Sequence, residues 1–495
     1  MNISHALVAL ALTLPTWAQD APTIEKLLDK YQVPGASVAV IREGKVTLLQ
    51  GFGVRELGTH NAVGPDTIFQ LASVTKSWTS TALGRLVDQG KLDWEVPVVH
   101  YFPEMRLAEP FATAHVTLRD FLSHRSGLPP FTGDLVDELG APREQVMEHL
   151  EELPLSQGFR QKPGYSNVGI TVAGMAGARV AGQSYEELVR KTVFEPLQMT
   201  RSGFLAGPPK STEDITFPHG LDHGKVRVFA HMDQSLVLAP AGAGTSSARD
   251  MSRWILALLG PEDFLKPATL DSIFQPVIAE HIGFSEAPPI TDQSGFYYAL
   301  GWNVYYYNGH KILEKGGARF GVRSLVTLIP DQKAAIVTLS NLNLSEFPEA
   351  VRASFLEEAL GKTSGDVQAA IWAKQQEVAN LFAGIGAPLP SPKGPLSMPL
   401  SSYVGTYHHP FYGDFRIVME GSKLAWRAGR LNFGGQMVPV QYNRFLGEFP
   451  AGHVVFPLEM TFVVDENGRA IRLITDAYGE LTRVERTAGN GSFSR

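Results

Sequence analysis

Cysteine is absent from the 495 residues, which excludes thiol nucleophiles, disulfide scaffolds, thiolate zinc sites and iron–sulfur clusters in one step. Covalent chemistry in this chain requires a hydroxyl or an amine. The compartment is not decided by this, since a chain with a large core is stable in an oxidising space without disulfides. Charge of one sign is also scarce. The 43 basic and 50 acidic side chains leave a formal −7 with no basic tract, so an electrostatic nucleic-acid binder is not expected. No window beyond the amino terminus approaches the roughly 20 continuous apolar residues of a spanning helix. The composition, 44% hydrophobic and 19% charged, is that of a globular protein. Its length corresponds to roughly three domain-equivalents.

What is there begins with an apolar run from Ala6 to Leu14, followed by Pro15 and the small-residue site Thr16-Trp17-Ala18. That run is too short to cross a membrane and reads as a signal peptide over residues 1–18. Met1 to His5 carry none of the Lys or Arg usual in such a leader. The mature protein is expected to be periplasmic or secreted, without a membrane span. After the leader, Thr23 to Tyr31 reads as a short helix, and Gly35 to Gly53 alternates around Glu43-Gly44 as a hairpin. Ser73 to Leu92 is helical and closes at Gly90. A middle section of about residues 95–275 is helix-rich. Strands return over Tyr297–Tyr307 and Lys311–Leu313, which flank the hairpin turn Asn308-Gly309, and over Ser324–Ile329 and Ala334–Leu339. Pro348 to Leu360 is again helical. Strands at both ends with helices between predict an α+β domain whose antiparallel sheet is assembled from distant sequence. A Pro-, Gly- and Ser-rich linker occupies residues 384–400. Short alternating runs over Tyr403–Val484, such as Phe415-Arg416-Ile417-Val418, predict a small all-β barrel or sandwich.

One constellation stands out: Ser73-Val74-Thr75-Lys76, then Tyr165-Ser166-Asn167, then Lys315-Gly316-Gly317. Residues three apart at a helix start lie on one face, so Lys76 reaches Ser73. The helix dipole and free N–H groups there favour a developing alkoxide. Serine needs a base at hand. A lysine can take a proton only if burial or a neighbouring cation, for which Lys315 is the candidate, lowers its affinity for one. Tyr165, if it faces the same cleft, relays the proton. The Asn167 amide offers a group for a substrate amide or for Lys76. The stretch Lys315 to Gly317 would form an edge strand along which substrate lies, with the Ala318 and Ser73 backbone N–H groups as an oxyanion hole. A lone Ser-x-x-Lys is expected about once by chance in a chain of this size, so the argument rests on all three elements in order. Tyr306-Tyr307-Asn308 also satisfies Tyr-x-Asn but falls in a predicted hairpin. His124 reads as a structural hydrogen-bonder beside the cleft. His219 and His223, spaced as a helical metal pair, lie beside Pro218 and Gly220, and a loop is expected there.

With these motifs the chain resembles the penicillin-recognising serine hydrolases, in particular the class C β-lactamase-like branch that includes D-alanyl-D-alanine carboxypeptidases, D-aminopeptidases and esterases. The likeness extends to Gly90-Lys91-Leu92-Asp93, Leu122 to Pro129, Phe194-Glu195-Pro196-Leu197, Pro240 to Gly244 leading to Asp250, and Ile336 to Asn341. The resemblance implies Ser73, Lys76 and Tyr165 as catalytic residues and Asn167, Lys315, Gly317 and Ala318 as substrate-binding ones. It also implies an acyl-enzyme hydrolysed by water, with no metal or organic cofactor. The stretch Tyr403 to Tyr407 resembles the start of a small barrel appended to many relatives.

The expected domains are thus a β-lactamase-like domain over 22–362, a helix and Pro-rich linker over 363–400 and a β-barrel over 401–488. Two departures bear on substrate. Gly316 stands where many β-lactamases carry a hydroxyl that helps bind a carboxylate. Pro163-Gly164 directly precedes Tyr165 instead of standing upstream. The partner expected is a small molecule or peptide: D-amino-acid peptides, peptidoglycan fragments or small esters, ahead of β-lactams. A reading of another class is a catalytically silent receptor for peptides or wall fragments. Oligomeric state carries no sequence signal.

Overall fold

The computed structural model describes residues 20–204, 213–222, 224–229, 236–260, 263–280, 293–319, 321–361, 366–381, 394–451 and 454–484. The expected leader lies outside them, as does His223. The main sheet has eight antiparallel strands: β1 (Gly35–Arg42), β2 (Lys45–Gly53), β3 (Ile278–Ala279), β4 (Gln293–Tyr298), β5 (Asn303–Tyr307), β6 (His310–Arg319), β7 (Val322–Ile329) and β8 (Ala334–Ser340). Their order is β2-β1-β8-β7-β6-β5-β4-β3. Chain-distant β1 and β8 pair from Ala36 opposite Ser340 to Ile41 opposite Ala335, so the sheet closes only after the helical section has been inserted.

Helices cover both faces: α1 (Asp20–Lys30), α2 (Thr75–Asp88), α3 (Asn167–Ala181), α4 (Ala248–Leu259), α5 (Pro267–Phe274), α6 (Phe347–Leu360) and α7 (Val367–Leu381). Successive side chains of a strand point to opposite faces. Val38, Val40 and Ile336 pack with Ile24, Val351 and Phe355, while Ala39, Ile41, Val337 and Leu339 pack with Trp78 and Trp254. With both faces covered, β1, β7 and β8 read as nearly unbroken apolar runs.

The expected strand Tyr297–Tyr307 is two strands. It breaks at Gly301, whose φ is +77°, because the turn is drawn against α2: Ser77 Oγ donates to Gly301 O at 2.8 Å. The stretch expected as a loop around His219 is a strand, His219–Asp222, paired with Lys225–Val228. His219 is drawn into that ladder because its ring bridges two segments, accepting at Nε2 from Leu57 N–H (3.0 Å) and lying 3.0 Å from Asn341 O at Nδ1.

Beyond the linker the chain forms a closed barrel of β9 (Gly405–His409), β10 (Gly413–Glu420), β11 (Lys423–Ala428), β12 (Gln436–Gln441), β13 (Arg444–Ala451), β14 (Val454–Val464), β15 (Ala470–Thr475) and β16 (Gly479–Val484). Closure leaves no sheet edge. The interior is aromatic, with Tyr403 and Phe462 centroids at 4.9 Å and Phe415 and Tyr478 at 4.6 Å. Its apolar cluster is continuous with that of the first domain.

Candidate active site

Ser73 sits in the single 3-10 turn Ala72–Val74 that leads into α2. The residue before it, Ala72, has φ +46°, a left-handed conformation that costs a non-glycine residue energy and persists only where its surroundings enforce it. The enforcement is visible. Thr75 Oγ1 donates to Ala72 O at 2.7 Å and accepts from Gly244 N–H at 3.0 Å, while Leu71 O accepts from Ser324 Oγ at 2.7 Å.

One turn on, Lys76 is fully buried, and its ammonium donates to Ser73 Oγ at 3.0 Å and to Ala241 O at 2.8 Å. Tyr165 reaches in from the segment before α3, and its hydroxyl donates to Ser73 Oγ at 2.9 Å. Lys315, buried on β6, holds its Nζ 5.2 Å from the Tyr165 ring centroid, on which Lys76 Nζ also lies at 4.8 Å. Four predicted residues from three remote stretches therefore meet. Gly317 is required by space: a Cβ there would lie 2.1 Å from Leu71 O and 2.9 Å from Ser73 N. The β6 strand is interior as far as Glu314, where its ladder with β5 ends. From Lys315 on it pairs with β7 alone of its two neighbours, so the expected edge exists only for the half that borders Ser73.

His124 is buried and its Nδ1 accepts from Ser166 N–H at 3.1 Å, its ring 4.5 Å from that of Tyr165. Burial, with Lys76 and Lys315 nearby, holds its pKa well below the usual imidazole value. It is a neutral support for the Tyr165 segment. Gly164 packs so tightly that a Cβ would lie 2.0 Å from Leu128 O, which accounts for a glycine directly before Tyr165.

Asn167 opens α3 and lines the cleft beside Ser73. Its amide donates to Asp134 Oδ2 at 2.5 Å, and this contact opens a wall absent from the sequence reading. A cleft of about 350 Å³ is lined by Ser73, Asn167, Ala241, Ala318 and the acidic group Asp134, Asp137 and Glu138. Arg319, also lining it, is ion-paired with Asp137. Burial pushes the Asp134 carboxyl up to about 8, against the pull of Asn167 and Lys76, and burial together with Asp137 pushes Glu138 up to about 7. In sequence, Asp134-Leu135-Val136-Asp137-Glu138 reads as a solvated helical face, and nothing local signals its burial. Among the described residues there is no cluster of three or more His, Asp or Glu suited to a metal.

A mixed helix-and-sheet domain with this serine at the start of a central helix, followed by a closed barrel, has the β-lactamase and penicillin-binding-protein fold. The chain belongs to the Beta-lactamase family, which matches residues 21–361; a domain of unknown function, DUF3471, matches residues 389–487. The unguisins hydrolase ungD' of Aspergillus campestris is 27% identical over 434 residues, covering 83% of this chain and 79% of that one. Protein flp of Staphylococcus aureus is 26% identical, covering 69% and 66%. The octameric penicillin-binding protein homologue from Pyrococcus abyssi superimposes with TM-score 0.60 at 21% identity, over 94% of this chain and all of that one. SurE with D-Leu gives 0.56 at 19% identity, over 94% and 99%.

Proposed function

We propose that the protein is an exported serine hydrolase that forms an acyl-enzyme on Ser73 and cleaves amide or ester bonds in D-amino-acid peptides, peptidoglycan fragments or small esters. The observation that carries this is the convergence of Lys76 Nζ (3.0 Å) and Tyr165 OH (2.9 Å) on the Ser73 oxygen. Either partner, once unprotonated, is within reach to accept the serine proton as Ser73 Oγ attacks the substrate carbonyl, and to return it to the leaving group. The Ser73 and Ala318 backbone N–H groups stabilise the oxyanion, and Asn167 and Lys315 orient the substrate. Water then hydrolyses the acyl-enzyme.

A relative named as a hydrolase supports hydrolysis, and a fold neighbour determined with D-Leu supports a D-amino-acid residue in the substrate. Gly316, which brings no hydroxyl for a carboxylate, favours a peptidase or esterase over a β-lactamase.

Mass spectrometry after treatment with a fluorophosphonate is expected to show one adduct, on Ser73. Lys76→Ala should slow its formation by at least about 10³-fold, the scale of losing a proton-transfer group. A silent receptor instead shows no adduct and binds its ligand equally well as Lys76→Ala. Nitrocefin, D-alanyl-D-alanine peptides, D-amino-acid anilides and nitrophenyl esters then rank the substrates, and amino-terminal sequencing after export should find the chain cut after Ala18.

A further inference from the structure

We propose that Thr75 and Arg323 are positioning residues for the oxyanion hole: each donates a hydrogen bond to the carbonyl of the same peptide unit whose N–H serves the hole, so that both N–H groups are aimed and polarised from behind. The inference rests on the reading of Ser73 as nucleophile, with the Ser73 and Ala318 N–H groups around the oxyanion, and adds what gives those two groups their strength. A peptide unit is planar, and in the trans form its N–H and C=O point in opposite directions. No cis bond occurs among the described residues. A donor on the carbonyl of residue 72 or 317 therefore stands behind the N–H of residue 73 or 318.

The Ser73 N–H shares its peptide with the Ala72 carbonyl, to which Thr75 Oγ1 donates at 2.7 Å. Thr75 is fully buried and its hydroxyl accepts from Gly244 N–H at 3.0 Å, which leaves its own proton for Ala72 O. The result is a chain from Gly244 N–H through the Thr75 hydroxyl to the peptide that carries the nucleophile's amide, and each bond of such a chain polarises the next. The Ala318 N–H shares its peptide with the Gly317 carbonyl, which accepts from Arg323 Nη1 at 3.3 Å. Arg323 is only 7% exposed and is ion-paired with the fully buried Glu349 of α6. Its backbone lies opposite Ala318 in the β6–β7 ladder, and its own carbonyl accepts from Ser340 Oγ at 3.0 Å. Strand pairing thus fixes where the guanidinium starts, and Glu349 fixes where it ends. A charged donor polarises its acceptor more than a neutral one does.

The two peptides are neighbours. A Cβ on Gly317 would lie 2.9 Å from Ser73 N, and Ser73 and Ala318 line the same cleft. Strand β7 serves both, since Ser324, next to Arg323, donates to Leu71 O at 2.7 Å just ahead of the Ser73 turn. Donors held in this way need no reorganisation as charge develops on the reacting oxygen. Their effect falls on the transition state, where that oxygen is charged, more than on the bound reagent.

The test is fluorophosphonate labelling of Ser73, resolved into a maximal rate constant and a half-saturating concentration, in two pairs of variants whose folding is checked by thermal melts. Thr75→Val removes the hydroxyl and Thr75→Ser keeps it. Arg323→Met combined with Glu349→Gln removes the cation without stranding its carboxylate, and Arg323→Lys keeps a cation. Losing an oxyanion donor outright costs about 10²–10³ in rate, and losing the group behind it costs less. Each donor-less variant is therefore expected to lower the maximal rate constant at least about fivefold, with the half-saturating concentration within about threefold of wild type, and each conservative variant to label at least about threefold faster than its donor-less partner. A smaller loss, a loss confined to the half-saturating concentration, or a conservative variant no faster than that overturns the inference. The pairs act on separate peptides, so a variant that fails to fold leaves the other pair to decide. Absence of labelling in the wild-type protein overturns the serine-hydrolase reading instead.

Discussion

At the scale of the residue, the site depends on contacts that leave little room. Gly317 and Ser73 belong to different elements, yet a single methyl group at 317 would fall 2.1 Å from Leu71 O. Backbone is the obstacle, so it cannot swing aside as a flexible side chain would. Gly317→Ala is expected to displace the turn that carries Ser73, to destabilise the fold by about 1–3 kcal/mol, and to slow fluorophosphonate labelling by more than about 10²-fold, the order of loss that a misplaced reacting group produces. Thermal melts and labelling rates measure the two effects, and labelling at the wild-type rate would show that the turn accommodates the methyl. Removing the Tyr165 hydroxyl takes away a donor to the Ser73 oxygen. Tyr165→Phe should therefore lower the acylation rate while leaving the Lys76 contact, with a smaller loss than Lys76→Ala.

At the scale of the element, β6 and α6 are joined by charges that the sequence does not advertise. Arg352 of α6, fully buried, donates to Glu314 Oε1 at 2.6 Å, and the other oxygen of Glu314 accepts from Tyr305 OH at 3.0 Å and Thr327 Oγ1 at 2.9 Å. Arg323 of β7 pairs with Glu349 and donates to Gly317 O at 3.3 Å. This layer lies directly behind Lys315. Arg352→Met should cost about 3–5 kcal/mol because it strands a buried carboxylate, and the double variant with Glu314→Gln should recover part of the loss. Urea denaturation reads both, and a single-variant cost under about 1 kcal/mol contradicts a buried ion pair.

His219 ties its strand to Asn341, the residue after β8, and to Leu57. Burial lowers its pKa from the ordinary 6.5 to about 4. A depressed folded value means that the stabilisation is complete above pH 6.5 and is lost as the pH falls through 4. The melting temperature should drop over that window, and less steeply in His219→Asn. Equal slopes would remove His219 as the cause.

At the scale of the molecule, the barrel backs the segment that lines the cleft. Its hydrogen bonds with the first domain fall on Gly133 and Leu139, which bracket the acidic wall, and on Gln145 beyond them. At Gly429, where φ is +65°, a Cβ would lie 2.2 Å from Leu139 O. Gly429→Ala is expected to push the wall away from Asn167 and raise KM several-fold, with a smaller change in kcat. An unchanged KM would make the docking incidental to substrate binding. The expected barrel is present and closed, and its place against the wall is a consequence of tertiary packing alone.

Residues three apart on a helix share a face whatever the rest of the chain does, so the nearness of Lys76 to Ser73 was legible in four letters. Alternation of period two gave away the strands, and short runs between glycines gave away the barrel, because both patterns arise from local backbone geometry. The break at Gly301 and the strand at His219 were not legible, since each is imposed by a distant neighbour, α2 in one case and Leu57 with Asn341 in the other. The meeting of Tyr165 and Lys315 at Ser73 was inferred from the order of motifs but is produced by the pairing of β1 with β8, which folds the two ends of the domain together around its helical middle. The acidic wall was invisible. Three carboxylates in five residues look like a solvated surface, and only the cleft on one side and the barrel on the other take them out of water.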